Sequence, residues 1–123
     1  MKSMPLSPRL SVYAWHLGAI ASIAHRATGL LMVLSIPLYL WLIFTMTGSP
    51  EEFQHGQTIL HSVPGRLMLW LSGVVLVYHL LNGIRFLCLD AGWGERRSAM
   101  RQSARGVFAL SVAAALILAV LLW

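Results

Sequence analysis

His79 lies inside a long apolar stretch, about a dozen residues from one end and about ten from the other. At about 1.5 Å per helical residue it sits near the middle of whatever that stretch spans, beyond the reach of a side chain that snorkels to water. An imidazole at such depth can hydrogen-bond another helix, relay a proton or ligate a metal. Gly83 and Phe86 follow four and seven residues on and share its helical face. A glycine beside a histidine lets a flat macrocycle approach the backbone, as an iron porphyrin ligated by His79 requires. Close helix packing uses such glycines as well, so spacing alone leaves both readings open. Arg85 lies about 120° round the helix from His79. Its long side chain can reach a carboxylate at the edge of such a macrocycle, or simply snorkel to headgroups.

A second constellation precedes it. Ser22, His25, Arg26 and Gly29 recur at i, i+3, i+4 and i+7, a polar stripe at one end of an otherwise apolar helix. A hydroxyl and a guanidinium one turn apart can donate hydrogen bonds to a small polar headgroup such as a quinone carbonyl, and positive charge there favours its reduced, anionic form. The plainer alternative is a serine cap with interfacial anchors.

The elements that carry these residues follow from composition. Of 123 residues, 58% are hydrophobic and only 11% charged, with a mean hydropathy of +0.73. A water-soluble domain carries about a quarter charged residues, so lipid is the solvent here. A bilayer core of about 30 Å takes about 20 helical residues, and three stretches qualify: 22–46, 66–89 and 106–123. The expected fold is an all-α membrane protein of three transmembrane helices within a larger, multi-subunit bundle. Pro37 lies inside the first helix and is expected to bend it. The five tryptophans fall mostly near proposed ends, as an aromatic belt does.

Five of the nine Lys and Arg fall between Arg85 and Arg105. Flanked by apolar runs, they read as juxtamembrane topology charges rather than a nucleic-acid surface. The loop at 47–65 carries Glu51 and Glu52 and no Lys or Arg, whereas the N-terminal segment 1–21 and the loop at 90–105 are basic. Both basic segments are therefore expected in the cytoplasm (or matrix), and the acidic loop in the periplasm or intermembrane space. A short surface helix at 51–61 is possible in that loop. The N-terminus does not read as a cleavable signal or transit peptide. Cys88, the only cysteine, forms no internal disulfide and reads as a small apolar side chain.

The run from Ser22 to Thr28 reads S-x-x-H-R-x-T, and that from His79 to Asp90 reads H-x-x-x-G-I-R-F-L-x-x-D. Both resemble the two signatures of the cytochrome b subunit of succinate dehydrogenase, respiratory Complex II. The leader from Pro5 to Tyr13 resembles that family's R-P-L-S-P-H-L-x-I-Y opening, so the likeness covers nearly the whole chain. It departs at Met4, Arg9, Phe86 (often His in the family) and Leu89.

The resemblance implies that His79 is an axial ligand of haem b, with the second axial histidine on a separate membrane anchor. It implies that His25, Arg26 and Arg85 lie near the haem propionates, and that Ser22 and Arg26 line a ubiquinone site near the iron–sulfur subunit. Partners would be a flavoprotein subunit, an iron–sulfur subunit, the second anchor and membrane lipids, without nucleic acid. The chain itself would not oxidise succinate. The expected location is the bacterial inner membrane rather than the mitochondrial one. Competing readings are a quinol:fumarate reductase anchor, a haem-free structural anchor, and a self-sufficient cytochrome with His25 and His79 on one iron. A small transporter has no support from repeats or broken helices.

Overall fold

The structure is a computed structural model, and it describes residues 16–123. The leader motif, Met4 and Arg9 lie outside the described residues. Four helices follow in order: α1 (Leu17–Met46), α2 (Pro50–His61), α3 (Val63–Asp90) and α4 (Arg97–Leu122). Three of them, α1, α3 and α4, are long and apolar enough to cross a membrane. The fold is thus an all-α bundle with three spanning helices. Pro37 sits within α1 without ending it.

α3 is the central element, packed against both α1 and α4. The buried apolar residues are few: Ala21, Leu42, Val75, Tyr78, Ala104 and Val107. Meanwhile Leu34, Phe44, Leu116 and Val120 stand exposed on the bundle surface. An apolar exterior around a thin core is what lipid requires, because burial in water is not the driving force. Small residues sit at the crossings. Ala21 and Ala104 are completely buried, and Gly73 receives the side chain of Leu118.

Each spanning helix runs past its apolar stretch, because backbone hydrogen bonding does not stop where hydrocarbon does. The third apolar stretch begins at Gly106, but α4 begins at Arg97 and carries Arg97, Arg101 and Arg105 on its first turns. The short α2 is started by a full capping box between Ser49 and Glu52, with Pro50 at its first position and Glu51 and Glu52 in its first turn. Ser62 ends α2 and caps α3, accepting from the Gly65 backbone N–H at 3.2 Å. A side chain at Gly65 would collide with the carbonyls of Ile59 and Leu60, so only glycine fits this corner.

Candidate functional site, a paired-histidine cleft between α1 and α3

α1 and α3 are antiparallel, and each carries the pattern His-x-x-x-Gly: His25 with Gly29, and His79 with Gly83. The two patterns meet reciprocally. A Cβ on Gly29 would lie 3.1 Å from His79 Cε1, and one on Gly83 would lie 3.5 Å from His25 Cε1. Each glycine thus makes room for the histidine of the other helix. The imidazoles stack with centroids 4.0 Å apart and planes 12° from parallel. The space over Gly83, which sequence spacing offers to a macrocycle, holds the His25 ring instead.

Polar partners hold the two rings differently. The Thr28 hydroxyl lies 3.1 Å from His79 Nδ1 and donates to the His25 carbonyl at 2.9 Å. Among hydrogen bonds to described residues, that is the one His79 makes, and it leaves Nε2 uncommitted. His25 Nδ1 is buried and has no hydrogen-bond partner among the described residues. Phe86 meets the His25 ring edge-on, with centroids 5.3 Å apart.

A second polar row runs along the neighbouring face of α3. Tyr78, Asn82 and Arg85 are spaced i, i+4 and i+7, and all three are buried. The Tyr78 hydroxyl and the Asn82 amide both donate to the Ala21 carbonyl of α1, at 2.9 and 3.1 Å. Arg85 donates to Ser103 Oγ at 3.0 Å, to the Met100 carbonyl at 3.2 Å and to Asn82 Oδ1 at 3.4 Å. Its guanidinium carbon also lies 5.3 Å from the Phe86 ring centroid. This row clasps α1, α3 and α4 at one end of the bundle. Towards the other end, Trp70 Nε1 donates to the Ala115 carbonyl at 2.8 Å.

The structure therefore brings His25, His79 and Phe86 together, with Arg85 behind Phe86. Ser22 is half-buried one turn from His25, beside the clasped Ala21, while Arg26 is exposed. Sequence spacing singles out neither Thr28 nor Tyr78 for a role. The 78/82/85 periodicity is the signal that finds the second row, but nothing within α1 alone shows that Thr28 faces His79.

No group of three or more His, Cys, Asp or Glu able to hold a metal ion forms among the described residues. A porphyrin brings four of its own nitrogens and asks the chain for a single imidazole, so the donor set fits that group. His79 offers a free Nε2, and the buried, unpartnered His25 Nδ1 suits a nearby carboxylate such as a propionate. The stacked pair does not fit ligation of one iron by both rings. Imidazole lone pairs lie in the ring plane, and face-to-face rings cannot direct them at a shared metal from opposite sides.

Three helices long and apolar enough to span a membrane, with a pair of stacked histidines at the α1–α3 seam, define an all-α membrane-bundle protein. The chain matches the family described as succinate dehydrogenase/fumarate reductase transmembrane subunit over residues 1–118, and it belongs to that family. It is 38% identical to the succinate dehydrogenase cytochrome b556 subunit of Paracoccus denitrificans, over 92% of this chain and 87% of that one. It is 37% identical to the subunit of the same name from Coxiella burnetii, over 85% of each chain. The mitochondrial cytochrome b560 subunit of Bos taurus is 35% identical over 88% of this chain and 65% of its own.

Proposed function

We propose that this chain is the haem b- and ubiquinone-binding anchor of a succinate dehydrogenase, carrying electrons from the iron–sulfur subunit to ubiquinone. One observation carries the reading: His79 is tied through Nδ1 to Thr28, with Nε2 left to bind iron. His79 alone of this chain would hold the haem iron, and any further protein ligand would come from another polypeptide, the second anchor subunit. Haem b supplies reversible one-electron transfer between that iron and its neighbours.

The chain's own residues do the rest by position and charge. His25 Nδ1 offers its hydrogen bond to a haem propionate. Arg85, tied to α4 behind Phe86, adds positive charge on the same side. Arg26 is exposed one turn from half-buried Ser22, so both can donate to a quinone headgroup entering from outside the three-helix unit. The unpartnered outer faces of α1, α3 and α4 leave room for further helices as well as lipid. The basic first turns of α4 support a cytoplasmic position for that end, and α2 would then lie in the periplasm.

The test is purification in mild detergent. The expected preparation holds three further subunits, a flavoprotein, an iron–sulfur protein and a second anchor, with one b-type haem per assembly. Arg26→Ala should depress ubiquinone reduction at least tenfold while leaving succinate oxidation by an artificial dye unchanged. An intact complex with no b-type absorption overturns the haem assignment, and unchanged quinone kinetics in Arg26→Ala overturn the quinone assignment. Ubiquinone rather than menaquinone in the purified complex separates this reading from a fumarate reductase anchor.

A further inference from the structure

We infer that Thr28 is a positioning residue that fixes both the tautomer and the orientation of His79. The inference rests on the reading of His79 as the haem ligand. A hydroxyl has one proton and can also accept. The Thr28 hydroxyl lies 2.9 Å from the His25 carbonyl, which can only accept, so its proton points there. Towards His79 Nδ1, at 3.1 Å, it then presents a lone pair. Nδ1 must be the nitrogen that carries the ring proton, and Nε2 the one that keeps a lone pair. The opposite tautomer would oblige the hydroxyl proton to turn to Nδ1 and give up its bond to the His25 carbonyl.

The hydroxyl is itself well held. Threonine is β-branched, and in a helix its oxygen bonds back to the carbonyl three residues earlier, as here, which limits its rotamers. Donation to that carbonyl also polarises the oxygen and makes it a better acceptor. The ring has little freedom to leave. Gly29, the next residue, allows the His79 Cε1 edge to lie against the α1 backbone, and His25 covers one face at 4.0 Å. The neutral hydroxyl makes the imidazole somewhat more electron-rich without deprotonating it, which favours the oxidised iron.

The experiment uses the assembled complex with Thr28→Val, similar in shape but without the acceptor, and Thr28→Ser, which keeps it. In Thr28→Val the haem midpoint potential should move in the positive direction, the low-spin electron paramagnetic resonance signal of the oxidised haem should shift, and haem retention should weaken by roughly tenfold. Thr28→Ser should match the parent in all three. Where the valine variant fails to assemble, Thr28→Ala carries the same expectation. Valine and serine variants impaired alike, or a valine variant with full haem and parental potential and signal, would overturn the role of the hydroxyl. A parent complex without any b-type haem would remove the underlying reading, and this inference with it, before any substitution is made.

Discussion

Arg85 joins α3 to α4 from inside the bundle. By sequence it is a cation in the last turns of a spanning helix, open to snorkelling or to a propionate. In the structure it is buried, with three hydrogen bonds to Ser103, Met100 and Asn82. Hydrogen bonds to a charged group contribute about 1.5–3 kcal/mol each where water is excluded, and their loss is not additive. Arg85→Ala should therefore cost about 2–3 kcal/mol, seen as a lower midpoint of thermal unfolding in detergent. Arg85→Lys should recover only part of this, because a single ammonium cannot reproduce a planar fork with acceptors on two helices. An Arg85→Ala protein as stable as the parent would show that the clasp is not what joins α4 to α3.

Between elements, the reciprocal His/Gly arrangement makes a sharper prediction than either helix alone. Gly29→Ala places a methyl group 3.1 Å from His79 Cε1, tight enough that the ring must move by a few tenths of an ångström. Gly83→Ala places one 3.5 Å from His25 Cε1, an ordinary contact. Gly29→Ala should thus perturb the haem spectrum and potential, and Gly83→Ala should leave them nearly unchanged. Equal effects would contradict the packing described here.

Much of this level was legible in the sequence. The depth of His79, the stripe from Ser22 to Gly29 and the three apolar stretches all follow from helical periodicity and hydrocarbon thickness. What periodicity cannot give is the facing of one helix to another. It is therefore silent on Thr28 meeting His79, on His25 filling the space over Gly83, and on Tyr78 and Asn82 sharing the Ala21 carbonyl. Helix ends differ from the apolar stretches for another reason: hydropathy marks only the apolar residues, whereas α4 already runs through Arg97, Arg101 and Arg105 before the third stretch begins.

Across the whole molecule, the thin core and apolar exterior mean that these helices hold together by a few polar ties and small-residue contacts. Orientation is the testable property at this scale. Arg97, Arg101 and Arg105 lie at one end of the bundle, and α2 with Glu51 and Glu52 lies at the other. A cysteine introduced at exposed Gln54 should react with a membrane-impermeant maleimide from the periplasmic side alone, and one at exposed Ser98 from the cytoplasmic side alone. The reverse pattern would invert the topology and put the stripe from Ser22 to Gly29 on the face opposite to the one the proposed function requires.

In the proposed function His79 holds the haem iron from this chain. The most direct measurement is the reduced-minus-oxidised spectrum of complexes carrying His79→Ala or His25→Ala. His79→Ala should abolish or shift the b-type bands while the other subunits still assemble, and His25→Ala should keep those bands with an altered potential. Normal bands in His79→Ala would contradict the claim, whatever the enzyme's turnover.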